Sequence, residues 1–261
     1  TVDLDELRDA ITDRTILITI MHANNEVGTI EPIEEIGKIA RDNGICFHTD
    51  AVQTVGKIPT DVNKLGCDLL SLSGHKFYGP KGVGALYIKE GTKIDPLIHG
   101  GHHERSRRAG TENVPGIVGL GKACEIALEE RDREGVKLKK FRDKLYQGIF
   151  SKMDDVILTG HPEHRLAGTL SICVKYVEGE SVLLNLDLEG IAASSGSACT
   201  SGATEPSHVL SAMGIPHEVA QGSIRLSLGR GNTGKDVDRV IEVLPRIVDR
   251  LRAMSPFGKR V

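Results

Sequence analysis

The stretch CDLLSLSGHKFYGPKGVGALYIK, residues 67–89, decides how the chain is read. Leu69, Leu70 and Leu72 form an apolar run that leads through Ser73-Gly74-His75 to Lys76. Gly79-Pro80-Lys81-Gly82-Val83-Gly84 then turns the chain into a second apolar run, residues 85–88. The pattern is strand, loop, strand. Lys76 falls just past the end of a buried strand, with a hydroxyl and an imidazole beside it and glycines that let backbone approach a ligand closely. A solvated loop lysine beside a Gly-Pro turn would look the same locally, so the decision rests on what surrounds the stretch.

Upstream, residues 3–12 carry Leu4, Leu7, Ala10 and Ile11 at helical spacing, and residues 15–21 are a β-branched strand run leading to Asn24-Asn25-Glu26-Val27-Gly28. Pro32 opens a second helix through Ile33, Ile36, Ile39 and Ala40, and Asn43-Gly44 stops it. Residues 45–49 are another strand, ending at Asp50, and a short helix at 61–65 precedes the stretch above. Apolar strands alternating with helices predict a mainly parallel sheet covered on both faces. In such sheets ligands bind outside the carboxyl ends of the strands. Asn25, Asp50 with Gln53, and Ser73 to Lys76 all follow strand C-termini, which makes one sheet edge the candidate site.

The 261 residues, 39% hydrophobic and 26% charged, can bury a substantial core. A net charge of −3 without a basic run speaks against nucleic acid as a partner, and no apolar stretch is long enough to span a membrane. The opening residues are charged and helix-like rather than an apolar signal, so a cytoplasmic location is expected. Five cysteines, Cys46, Cys67, Cys124, Cys173 and Cys199, lack any C-x-x-C spacing and fit neither a disulfide framework nor a zinc site.

The second half changes character. A charge-rich helical pattern runs from 114 to 153, with a break expected near Arg133-Glu134-Gly135. Strands at 155–159, 168–174 and 223–228, a helix at 180–188 and a closing helix at 233–254, with Thr233 as N-cap and Asp236 three residues on, make a smaller α+β layer. The expected division is 1–130, part of a large domain, and 131–261, a small C-terminal domain. Residues 194–202, SSGSACTSG, hold no apolar side chain larger than alanine beside Cys199, whereas the other four cysteines sit in apolar or helical patterns that read as core. His99, His102, His103 and Glu104 lie in a Gly-rich run where no helix would set ligands on one face, so no metal is expected.

The groups at the sheet edge suit pyridoxal 5'-phosphate. That cofactor needs a lysine for a Schiff base, a carboxylate for its pyridinium nitrogen and donors for its phosphate. Lys76, Asp50, and Ser73 with His75 offer these, and Gln53 is placed to touch the ring phenolate.

Six segments carry a resemblance: HANNEVGTIEPI (22–33), HTDAVQTVGK (48–57), SLSGHKFYGPKGVGALYI (71–88), ERSRRAGTENVPGIVGLGKA (104–123), SSGSACTSG (194–202) and IRLSLGR (224–230). Together they resemble the cysteine desulfurases of the NifS/IscS group, class V pyridoxal-phosphate enzymes of the aspartate aminotransferase fold (type I). The resemblance implies an α/β fold with a large cofactor domain and a smaller C-terminal one. It further implies that Lys76 carries the cofactor and is catalytic together with Cys199 and His75, that Asp50, Gln53, Asn25, Ser73 and His75 contact the cofactor, and that Thr111 reaches the cofactor of a partner subunit in a homodimer. Arg225 then clamps the carboxylate of L-cysteine, with Asn25 beside it, and Cys199 takes the sulfur as a persulfide while alanine leaves. The acceptor implied is an iron–sulfur scaffold protein or a tRNA-thiolation relay. One departure is Gly100-Gly101-His102, where many relatives have three glycines. The family also begins upstream, with an arm, a phosphate loop and a ring-stacking histidine, so a separate chain supplying that segment is a further expected partner. The alternatives are a non-catalytic remnant acting as a docking subunit, a selenocysteine lyase and a class V aminotransferase.

Overall fold

The computed structural model describes residues 1–195 and 207–254. The chain divides into two compact units, one of Thr1–Ala23 with Glu31–Asp132, the other of Asn24–Ile30 with Arg133–Val261.

In the first unit α1 (Leu4–Ala10) is capped by Asp3, whose carboxylate accepts from the Asp5 and Glu6 amides. Then follow β1 (Leu17–Met21), α2 (Ile33–Asp42), β2 (Cys46–Asp50), α3 (Val62–Leu65), β3 (Leu69–Ser73), a 3-10 turn (Gly74–Phe77), β4 (Gly84–Ile88) and α4 (His103–Ser106), and α5 (Val114–Phe150) begins in this unit and ends in the second. The sheet order is β1-β2-β3-β4. The first three strands are parallel, and β4 returns antiparallel against β3 through the Gly-Pro turn, pairing Ser73 with Gly84 and Leu69 with Ile88. Ile18, Phe47 and Leu70 pack with Ile33, Ile36 and Ala40 of α2 in one core, which forms the covered face of the sheet.

The second face of this sheet is mixed in character. The alternate strand positions include Leu17, Met21 and Leu86, which remain 36–46% exposed, together with Thr19, His48, Asp50, Ser71 and Ser73. Register puts Cys46, Leu69 and Ile88 on that face as well, so it alternates apolar and polar side chains.

In the second unit β5 (Val156–Leu158), β6 (Thr169–Val174), α6 (Gly179–Leu188), α7 (His208–Ala212), α8 (His217–Ala220), β7 (Ser223–Ser227) and α9 (Gly234–Met254) follow one another. The sheet β5-β6-β7 is antiparallel throughout. Its core joins Leu170, Ile172, Val174, Ile224 and Leu226 to Val182 and Leu186 of α6 and Leu244, Ile247 and Val248 of α9.

Two local expectations change. Helix α5 runs unbroken from Val114 to Phe150. A lone glycine costs a helix only about 1 kcal/mol, and the turn around Gly135 is held by Arg230, whose Nε meets Glu134 Oε2 at 3.0 Å and whose carbonyl accepts from Lys137 Nζ at 2.9 Å. The Gly-rich run also contains the short turn α4, although Glu104 and Arg105 adopt left-handed backbone angles inside it. At the start of α9, the Thr233 amide donates to Asp236 Oδ2 at 2.8 Å, one half of the expected capping pair.

Candidate active site

Parallel pairing brings the C-termini of β1, β2 and β3 to one edge of the first unit's sheet, with Asp50 in register with both Met21 and Ser71. Past β2, Asp50 Oδ1 accepts from the Val52 amide at 2.9 Å, and the Ala51 amide donates to Ser71 O at 2.9 Å. Asp50 therefore stays at the end of the strand with one oxygen anchored. Gln53 lies in the same turn, half-buried, its Oε1 accepting from Lys57 Nζ at 3.3 Å.

Past β3 the chain turns at once. Gly74 is buried, donates to Val83 O at 2.9 Å and accepts from Gly79 N at 2.8 Å. A Cβ there would lie 3.2 Å from Pro80 O, Val83 O and Leu120, so the tight return needs glycine. Phe77 anchors the turn among Leu120, Ala123 and Ala127. With Gly74 and Phe77 inside, His75 and Lys76 between them are exposed. Ser73 Oγ and His75 Nδ1 are 2.9 Å apart, joining the two expected phosphate donors. Lys76 makes no hydrogen bond or ion pair among the described residues, which leaves its amine available. Thr111 is exposed in the loop between α4 and α5.

Two histidines near this edge open quoted segments yet received no role from the sequence. His48, two residues before Asp50, bridges Thr19 Oγ1 at 2.7 Å and Ser71 Oγ at 2.8 Å and so ties β1, β2 and β3 together. Partial burial lowers its pKa, against a smaller upward pull from Asp50. His22 is buried, its Nδ1 3.1 Å from Thr54 Oγ1, and desolvation lowers its pKa to about 4. The signal for His48 was its strand periodicity, which puts it on the face that Asp50 occupies.

In the second unit the turn Asn24–Ile30 presents Asn25. Asn24 Oδ1 accepts from the amides of Glu26 (2.8 Å) and Val27 (3.0 Å), while among the described residues no hydrogen bond engages the Asn25 side chain. The Asn25 carbonyl accepts from Arg225 Nη1 at 2.7 Å, and Arg225 Nε donates to Ser194 Oγ at 3.0 Å. Arg225 projects from β7 with its guanidinium oriented by these two acceptors and half-buried.

Cys199 lies outside the described residues. Of the other cysteines, Cys67 and Cys173 are buried, which raises both thiols to about 11, and burial with the Asp68 charge raises Cys46. Thiols held this high are poor nucleophiles at neutral pH. Cys124 departs from the expectation of a core residue, because it is exposed on α5, and Cys46 is only half-buried. Among the described residues no group of three or more His, Cys, Asp or Glu is arranged to hold a metal ion. No helix among the described residues is long and apolar enough to cross a membrane.

The family model "Aminotransferase class-V" matches residues 1–240. The chain belongs to the class-V aminotransferase family. Among curated relatives, this class-V chain is 62% identical over 256 residues to the cysteine desulfurase IscS of Methanosarcina thermophila, covering 98% of this chain and 63% of that protein. It is 57% identical to the cysteine desulfurase IscS of Dictyoglomus turgidum, covering 98% of this chain and 65% of that one. Among solved structures, a NifS-like protein superposes with a TM-score of 0.88 at 42% identity, covering 96% of this chain and 66% of that one. A NifS-like protein from Rickettsia africae gives a TM-score of 0.86 at 36% identity over 94% of this chain and 65% of that one. The class-V chain thus spans less than two thirds of the length of the curated relatives it matches.

Proposed function

We propose that this chain forms the lysine- and cysteine-bearing part of a pyridoxal-phosphate-dependent cysteine desulfurase, converting L-cysteine to L-alanine and passing the sulfur on through Cys199. The observation that carries the reading is the edge of the first unit's sheet, where the unpaired amine of Lys76 follows the Ser73–His75 pair and shares its strand ends with Asp50. An amine, a carboxylate and a hydroxyl–imidazole pair are the donor set that pyridoxal phosphate requires, so the residues fit the cofactor of this family. When bound, it supplies an electron sink for the bonds at the substrate's α-carbon.

The chain's own residues account for the rest. Asp50 would pair with the pyridinium nitrogen, Gln53 and Asn25 would contact the ring, and Ser73 with His75 would donate to the phosphate. Arg225 offers a planar fork to the substrate carboxylate. Lys76, once free, takes the proton from the substrate α-carbon and returns it at a neighbouring atom. The Cys199 thiolate then attacks the substrate sulfur: an S–S bond forms, the Cβ–S bond breaks, and its electron pair stays with the carbon fragment. That fragment takes up a proton and leaves as alanine. Cysteine and the Cys199 thiol thus become alanine and a Cys199 persulfide, and an acceptor thiol on a partner, such as an iron–sulfur scaffold protein, removes the terminal sulfur.

Support for sulfur transfer rather than transamination comes from the names of the relatives. We place Thr111 at the cofactor of a partner subunit in a homodimer, and the protein in the cytoplasm. The test is to load the protein with pyridoxal phosphate, add cysteine, and measure alanine, sulfide and the mass of the Cys199 peptide. Stoichiometric alanine and a sulfur adduct on Cys199 are expected. In Cys199→Ser cysteine should still bind, but no persulfide should form; sulfide release at the wild-type rate from that variant would refute the role given to Cys199.

A further inference from the structure

The reverse turn of the second unit holds the chain on both sides of the 196–206 stretch. Before it, Ser194 exchanges backbone hydrogen bonds with Arg225 (2.6 and 3.2 Å) and its hydroxyl accepts from Arg225 Nε, while Arg225 Nη1 donates to the Asn25 carbonyl. After it, Ser207 is 2% exposed and its hydroxyl donates to Oε2 of Glu26, itself 4% exposed. The same Ser207 oxygen accepts from the amides of Val209 (3.1 Å) and Leu210 (3.4 Å), capping α7. Consecutive residues, Asn25 and Glu26, therefore fix the two points between which Cys199 lies in sequence.

Glu26 has no role in binding cofactor or substrate under the function proposed above. A carboxyl group this buried is costly to keep unless its partner needs it. Its partner is the first described residue after the cysteine stretch, 181 positions away along the chain. The turn that buries it is built by Asn24, whose side chain accepts from the Glu26 amide itself. Val27, next in that turn, packs with Leu210 of α7, Cys173, Val219 and Ala220, so turn and helix start share one small core.

We propose that Glu26 is a positioning residue for sulfur transfer: its buried carboxyl anchors Ser207, which follows the Cys199 stretch in sequence, to the turn whose other residue, Asn25, holds Arg225. The inference rests on the desulfurase reading. It predicts that loosening the anchor slows delivery of sulfur to Cys199 while cysteine binding stays intact.

The test uses Glu26→Ala and three changes at Ser207 in the cofactor-loaded protein. Ser207→Asp can still cap α7 but brings a second acceptor where Glu26 needs a donor, whereas Ser207→Asn both caps and donates. Ser207→Ala loses both functions. Two readouts are taken. Amide exchange at Val209 and Leu210 needs no reaction; it should speed up in Glu26→Ala and Ser207→Asp and stay near wild type in Ser207→Asn. Single-turnover persulfide formation on Cys199 should slow about tenfold or more in the first two, the effect of losing one such hydrogen bond, with KM for cysteine within about twofold of wild type, and should recover in Ser207→Asn. Unchanged exchange in Glu26→Ala and Ser207→Asp would overturn the anchor. A parallel loss of cysteine binding and rate, or no rescue by Ser207→Asn, would reduce Glu26 to a folding residue and overturn the positioning role. If wild-type protein forms no Cys199 persulfide, the desulfurase reading falls and the transfer role with it, while the exchange data still report whether Glu26 anchors Ser207.

Discussion

Acid should destabilise the first unit through His22, and the effect can be worked out from the surroundings of one ring. His22 is 5% exposed, and its Nδ1 faces Thr54 Oγ1 at 3.1 Å. The Thr54 hydroxyl spends its own proton on Ala51 O, so Nδ1 carries the hydrogen and the buried ring is neutral. Desolvation lowers the folded pKa from 6.5 to about 4. A histidine with a depressed folded pKa takes up its proton more readily when unfolded. Its contribution is therefore intact above pH 6.5 and drains away as the pH falls toward 4. The full loss is about 3 kcal/mol at 1.36 kcal/mol per pH unit, of which about 2 kcal/mol is gone by pH 5. His22→Gln keeps a polar group that cannot titrate. Urea unfolding followed by circular dichroism at pH 7 and pH 5 should show wild type losing about 2 kcal/mol more than the variant, and an NMR titration should put the His22 transition near 4. Parallel losses in the two proteins, or a His22 transition near 6.5, would refute the reasoning.

Three further outcomes are expected. Borohydride reduction of the cofactor-loaded protein should attach pyridoxal phosphate to the peptide containing Lys76, and Lys76→Ala should abolish that adduct; label on Lys57 or Lys81 would sink the assignment. Arg225→Lys loses the fork that reaches both Asn25 O and Ser194 Oγ, and KM for cysteine should rise about 10- to 100-fold, the range for one charge-assisted bond; a KM within about twofold of wild type would remove Arg225 from the carboxylate site. Gly37→Ala would put a Cβ 2.3 Å from Leu65 O and should lower stability by about 1–3 kcal/mol in urea melts, whereas Gly135→Ala, with open space around its Cβ, should raise it by about 0.5–1 kcal/mol.

The edge around Lys76 was legible because it is local. Strand, glycine turn and strand follow one another within residues 67–89, and period-2 alternation alone puts Asp50 and Ser73 at strand ends. The reach of α5 was misread because Gly135 looks like a stop, whereas a lone glycine costs a helix little and Arg230, 96 positions beyond Glu134, bonds to that turn. Cys124 read as core because it follows a helical apolar pattern, yet its position on α5 leaves it exposed.

By itself the sequence determined the alternation of elements and the placing of Asp50 and of Ser73 to Lys76 at or just past strand ends, since each depends on neighbours a few residues apart. Tertiary structure alone decided that His22 is dry enough to stay neutral and that Glu26 and Ser207 meet. Burial and hydrogen bonding between residues distant along the chain are set by how the elements pack, and no short-range pattern records them.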